Sequence, residues 1–335
     1  MNIIIPMAGM GKRMRPHTLT TAKPLLPIAG KPVVQRLVED IVATCGEKIE
    51  EIAFVIAPTF GKEVEAQLCK IAETLGAKGK ICYQEQALGT AHAILCAGDM
   101  LTGNVFIAFA DTLFKATFSI DKNREAIIWT HKVEDPKAYG VVKLNDLGEI
   151  EAFVEKPKDF VSDLAIIGVY YFKDGANLKK ELQRLIDQNI MLKGEYQITD
   201  AMDHMLQTGV KFYTGQVTEW LDCGNKDAFV FSNQRVLEFK KDTEQLIHPS
   251  AVVEQSVIIP PCYIGEGVVI KNSVIGPYVS LEKGVNIEDS RIRNSIVQMD
   301  SIVKNAQMEA SMLGKNVIYI DKPDELSLGD FSTQL

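Results

Sequence analysis

The sequence predicts an α/β chain: a doubly wound sheet with helices on both faces, followed by a short β-helix. Three observations carry this. Short apolar, β-branched runs alternate with segments of helical spacing over the first 240 residues. The first of those runs leads directly into a glycine loop followed by a cluster of cations. From residue 247 onward an aliphatic residue recurs about every six positions beside Gly or a small residue, the hexapeptide signature of a β-helix.

The elements follow in order. Asn2-Ile3-Ile4-Ile5 is too short for a helix and rich in β-branched side chains, so it is predicted as a buried strand. Val33–Cys45 carries apolar residues at 34, 37, 38, 41, 42 and 45, an amphipathic helix. Residues 52–58 form a predicted strand; Val64, Leu68, Ile71, Ala72 and Leu75 mark a helix ended by Gly76. Residues 80–83 make a third strand, 90–97 a helix, 105–110 a strand ending at Asp111, and 126–131 another. Such alternation implies a parallel sheet, and ligands bind such sheets at the carboxyl ends of the strands. Further on come a strand over 166–172 and a helix over 201–207 that Thr199 and Asp200 can start. Phe239-Lys240-Lys241 closes a helix and begins a linker. The repeats then run from Ile247-His248-Pro249-Ser250-Ala251-Val252 and loosen over 289–311. A stack of this kind leaves edges and ends needing cover, which suits a homo-oligomer contact.

Composition narrows the function classes. A length of 335 residues allows two domains, and 46% hydrophobic with 24% charged residues is an ordinary globular balance. Thirty-six basic against 44 acidic residues give −8, which disfavours a nucleic-acid partner. A negative chain that handles phosphates must concentrate cations locally or use a metal. Six cysteines without a C-x-x-C pair suggest neither a disulfide framework nor zinc. No basic region precedes the first apolar run and no apolar stretch approaches membrane-span length, so the expectation is a cytoplasmic protein without a membrane partner.

The loop Ala8-Gly9-Met10-Gly11 is followed by Lys12, Arg13 and Arg15, with Lys23 further on. Glycines let backbone N–H groups approach a phosphate, and cations neutralise it; together they form a polyphosphate cradle. A Walker A loop is excluded because Arg13 follows Gly9-Met10-Gly11-Lys12, and a dinucleotide fingerprint because position 14 is Met. Prolines at 16, 24, 27 and 32 rule out a long helix straight after the loop.

The run G-x-G-K-R-M-x-P-x-T, then K-P-L-L-P-I-x-G-K-P, closely resembles the signature of the sugar-1-phosphate nucleotidyltransferases, of the glucose-1-phosphate thymidylyltransferase or uridylyltransferase kind. These enzymes join an NTP to a sugar 1-phosphate, giving NDP-sugar and pyrophosphate. The resemblance implies a Rossmann-like mixed sheet over a catalytic domain at 1–240, a left-handed β-helix at 247–320 and a tail at 321–335. It implies that Ala8, Gly9, Gly11 and Lys12 bind the nucleotide, with Arg13 on the leaving pyrophosphate and Lys23 on the α-phosphate.

Glu85-Gln86-Ala87-Leu88-Gly89-Thr90-Ala91-His92 resembles the base-reading loop of the same family. An amide can donate to and accept from a pyrimidine edge at once, so Gln86 is the candidate reader, with Gly89 and Thr90 beside the base. A helix-capping role for Gln86 stays open. Asp111, in Phe109-Ala110-Asp111-Thr112, and Asp222, in Trp220-Leu221-Asp222-Cys223-Gly224-Asn225, match the two Mg²⁺ ligands of the family; Ala110 and Asn225 depart from its usual glycine and threonine. On the sugar side the resemblance implies Tyr139, Gly140, Glu155, Gly168, Tyr170 and Glu195, with Lys156 on the sugar phosphate. A carboxylate suits vicinal hydroxyls, and a lysine suits a phosphate oxygen.

The expected reaction is nucleotidyl transfer by in-line displacement, with dTTP or UTP and glucose 1-phosphate favoured. Mannose-1-phosphate guanylyl transfer is an alternative specificity. A bifunctional enzyme with an acyltransferase β-helix, for which His248 is the one candidate base, and a non-catalytic nucleotide-sugar binder also stay open.

Overall fold

The computed structural model describes residues 1–9, 11–116 and 120–322; Met10 and most of the expected tail lie outside the described residues. Contacts divide the chain into two compact units, Met1–Leu26 with Pro32–Gly224, and Pro27–Lys31 with Asn225 onward. The helix Lys226–Lys240 therefore groups with the second unit. Among the described residues no helix is long and apolar enough to cross a membrane.

The first unit is built on a nine-stranded mixed sheet. Strand Asn2–Pro6 lies near its middle, parallel to Glu51–Ile56 on one side and to Val105–Ala108 on the other. Its three isoleucines are fully buried, as a central strand covered on both faces requires. The parallel arrangement extends to Lys78–Tyr83 and reverses at the long strand Leu164–Phe172, which runs antiparallel to Val105–Ala108 and to Ala126–Lys132. The parallel half is the part legible as alternating strands and helices. In the antiparallel half, Gly140–Leu144 pairs antiparallel with Ile150–Glu155 as a hairpin.

Element ends differ locally from the sequence expectation. The second strand stops at Ile56, because Pro58, which has no N–H, opens a short turn over Pro58–Phe60. The helix expected over 201–207 begins at Ile198, since Gln197 is still extended. The helix expected over 90–97 is Thr90–Leu95.

In the second unit, three ladders of parallel strands stack as in a left-handed β-helix. Ile270, Ile275, Leu281, Ile287, Ile292, Val297 and Val303 fill its interior. Its corners turn through residues of positive φ that recur coil by coil: Gln255, Asn272, Asp289 and Asn305 on one, Gly267, Gly284, Asp300 and Asn316 on another. Asn, Asp and Gly tolerate this conformation best. Serines tie successive coils: the hydroxyl of Ser273 accepts from Ser290 N, and that of Ser290 from Ala306 N, both at 3.0 Å.

Candidate active site

The phosphate loop begins where the central strand ends. Gly11 has φ +57°, and a Cβ there would stand 2.9 Å from Lys23 Cβ, so only glycine lets the loop lie on the Lys23 segment. Thr18 Oγ1 donates to Gly11 O at 2.8 Å. Met14 is fully buried and anchors the turn Lys12–Met14, while Lys12 and Arg13 are exposed.

Asp111 follows strand Val105–Ala108, and a second pairing brings Asp222 beside it. Strand Glu219–Asp222 runs antiparallel to Thr112–Lys115, with Asp222 opposite Thr112, and Cys223 N donates to Asp111 O at 3.0 Å. Burial pushes the Asp222 carboxyl up from its usual range, and the charge of Asp111 adds to this. The N–H of Gly224, which donates to Asp222 Oδ1 at 2.8 Å, and the charges of Lys23 and Arg13 act the other way. Lys23 Nζ sits 2.9 Å from Asp111 Oδ2. A Cβ on Gly224 would lie 3.1 Å from Arg13 Nη2. Two neighbouring carboxylates of this kind are hard oxygen donors that would suit a divalent cation such as Mg²⁺.

Arg13, Lys23, Asp111 and Gly224 border a cavity of about 410 Å³, and Asp222 is not part of its lining. Ala8, Gly9, Gly11 and Lys12 line it as well, as do Gly89, Thr90 and Glu195. Glu195 is presented by a tight turn, Leu192 to Glu195, whose middle residues Lys193 and Gly194 both have positive φ.

The other expected sugar residues lie off this lining. Gly140 pairs with Glu155, and a Cβ on Gly140 would fall 2.9 Å from Glu155 Oε2, so the glycine leaves space for the carboxylate. Glu155 Oε1 is 3.4 Å from Lys156 Nζ. The Tyr139 ring meets Trp220 edge-on at 5.2 Å; burial, then Asp222, raises its hydroxyl pKa. Gly168 accepts from Phe109 N at 2.9 Å within an irregularity of its strand.

The nucleotidyl transferase family profile matches residues 2–238. The chain belongs to the nucleotidyl transferase family. It is 30% identical to a glucose-1-phosphate thymidylyltransferase of Streptomyces griseus, over 99% of this chain and 98% of that one. It is 27% identical to the bifunctional protein GlmU of Methanococcus maripaludis, over 78% of this chain and 62% of that one. In fold, it is similar to the crystal structure of a UDP-glucose pyrophosphorylase complexed with UDP-glucose, with TM-score 0.56, 24% identity, and coverage of 71% of this chain and 98% of that chain.

Two residues of this nucleotidyltransferase are placed differently from the sequence expectation. Gln86 is exposed and absent from the cavity lining; its carbonyl accepts from Leu88 N at 2.9 Å, a turn that carries it away. Gln84 lines the cavity instead. Its Nε2 donates to Gly89 O at 3.2 Å and lies 3.2 Å from His92 Nδ1, which fixes the amide plane. The available signal was its position one residue past the strand Lys78–Tyr83. Tyr170 is 4% exposed, packs edge-on to Phe109 and is absent from the cavity lining. Sequence reading also missed Thr199 Oγ1 and Trp220 Nε1, buried polar atoms without a hydrogen-bond partner beside Gly140 and Tyr139.

Proposed function

We propose that this nucleotidyltransferase joins dTTP or UTP to glucose 1-phosphate, releasing pyrophosphate. The observation that carries the reading is the convergence of Lys12, Arg13, Lys23, Asp111 and a buried amide, Gln84, on one cavity. An oxygen of the sugar phosphate attacks the α-phosphorus, and the bond from that phosphorus to the bridging oxygen of pyrophosphate breaks. Lys23 holds the α-phosphate, and Arg13, exposed at the loop tip, balances charge on the leaving pyrophosphate. Asp111 and Asp222 would hold Mg²⁺, which supplies charge neutralisation between the phosphates. Lys156 takes the sugar phosphate, Glu155 and Glu195 the sugar hydroxyls, and Gly140 leaves space for the Glu155 carboxylate.

Gln84 reads the base: with its Nε2 turned to Gly89 O, its carbonyl is left to accept a pyrimidine N3–H. The thymidylyltransferase relative supports the thymine choice. In this reading residues 1–240 form the catalytic domain, 247–320 a β-helix that serves a homo-oligomer contact, and the setting is cytoplasmic. The test is pyrophosphate release with Mg²⁺ for each common NTP crossed with a panel of sugar 1-phosphates. A strong signal from dTTP or UTP with glucose 1-phosphate supports the reading; a stronger one from GTP with mannose 1-phosphate, or none, overturns it.

A further inference from the structure

The loop that follows Gln84 and the turn that carries Glu195 come from distant parts of the chain, yet they are stitched together. Ala91 N donates to Tyr196 O at 2.9 Å, and Tyr196 N to Leu88 O at 2.8 Å. Gly89, with φ +111°, lies so close to this segment that a Cβ would stand 2.4 Å from Tyr196 O. Alongside the backbone contacts runs a chain of side-chain hydrogen bonds. Ile198 N donates to Thr90 Oγ1 at 3.0 Å, Thr90 Oγ1 to Gln197 Oε1 at 3.2 Å, and Gln197 Nε2 to Glu195 Oε2 at 3.0 Å.

The direction of this chain is forced. An ionised carboxylate only accepts, so the Gln197 NH₂ must face Glu195 and its carbonyl must face Thr90. With an N–H supplied to its oxygen, the Thr90 hydroxyl proton is left to donate onward. Every dipole then points toward Glu195, an arrangement in which each bond strengthens the next. Gln197 is 9% exposed, and both ends of the chain, Thr90 and Glu195, line the cavity.

We infer that Gln197 is a positioning residue that locks the Glu195 carboxylate to the nucleotide wall at Thr90, so that a bound nucleotide sets the carboxylate for the sugar. Which substrate each wall meets rests on the function proposed above; the tie itself does not. Glutamate at 197 would keep the shape and accept from Thr90, but it has no N–H for Glu195 and would set two carboxylates about 3 Å apart. Nucleotide contact at Thr90 would then no longer orient Glu195.

The test uses the full chain. Gln197→Glu is expected to raise KM for the sugar phosphate about tenfold, the cost of roughly one charge-assisted hydrogen bond, while KM for the nucleotide stays within about twofold. The Thr90→Val, Gln197→Ala double variant is expected to raise KM for the sugar phosphate little more than Gln197→Ala alone, because both changes cut one chain. Hydrogen exchange supplies a readout without turnover: dTTP with Mg²⁺ should slow exchange over residues 195–198 in the parent protein and not in Gln197→Ala, with protection of the central strands showing that the variant is folded. Equal rises in both KM values, additive rises in the double variant, or nucleotide-linked protection that survives in Gln197→Ala would each overturn the inference. A parent protein that releases no pyrophosphate overturns the substrate reading alone, and the exchange experiment still decides the tie.

Discussion

Gln84 and Gln86 differ by two positions in one extended segment, so both fit the same face of a strand. Only the turn closed by Leu88 N on Gln86 O separates them, and that turn is set by packing against Tyr196, which is distant in sequence. This is why the loop was legible as cavity lining while the particular glutamine that lines the cavity was not. Gln84→Ala is expected to raise KM for the nucleotide about tenfold and relax base choice, whereas Gln86→Ala stays near the parent; steady-state kinetics on two nucleotides checks both. Asp111 and Asp222, by contrast, each stand in a separate motif, and the structure brings their strands together. Their nearness carries a cost. Burial and the Asp111 charge raise the Asp222 pKa, so the folded state binds a proton there more readily than the unfolded chain, and stability is lost as pH rises through that raised value. Asp222→Asn removes the cost and keeps an acceptor for Gly224 N. It is therefore expected to raise Tm at neutral pH by a few degrees while depressing turnover about 10²–10³-fold, and the Tm gain should vanish in acid, where the carboxyl is protonated in both states. Thermal melts at about pH 2.5, below the ordinary carboxylate range, and at pH 7, beside turnover, measure both arms.

At the scale of elements, the parallel half of the sheet was readable because buried strands and amphipathic helices have distinct periods. The antiparallel half was less so: Leu164–Phe172 changes partners along its length, with an irregularity between Ile166 and Tyr170, and such pairing is decided by tertiary contacts rather than local pattern. The β-helix shows a different limit. Its coils advance from Val257 to Val274 to Arg291, then from Arg291 to Gln307, a step of 17 residues shortening to 16. That single deletion per coil breaks the six-residue rhythm over 289–311, although the inward column Ile258, Ile275, Ile292 and Met308 continues. The serine ladder holds the shortened coils in register. Ser290→Ala removes the acceptor for Ala306 N and the donor to Glu288 O, and is expected to lower unfolding free energy by about 1–3 kcal/mol. Denaturant titration of the second unit's transition, compared with the parent, gives the number.

For the whole molecule, a net charge of −8 has to coexist with binding of polyphosphate. The chain meets this by gathering Lys12, Arg13 and Lys23 after one buried strand, on a cavity that Asp111 also lines, with Asp222 paired opposite Thr112. In the proposed reading the side chains at the α-phosphate bind it and neutralise its charge, and none is given the role of nucleophile. The account is therefore of a direct displacement carried by positioning and charge, rather than of two displacements through a nucleotidylated residue. The most direct measurement is the stereochemical course at phosphorus, using a single diastereomer of dTTP bearing sulfur on the α-phosphate and reading the configuration of the NDP-sugar product by phosphorus NMR. Inversion is the expected result, since one in-line attack turns the phosphorus centre over once. Retention would mean two inversions through a covalent intermediate and would contradict the account.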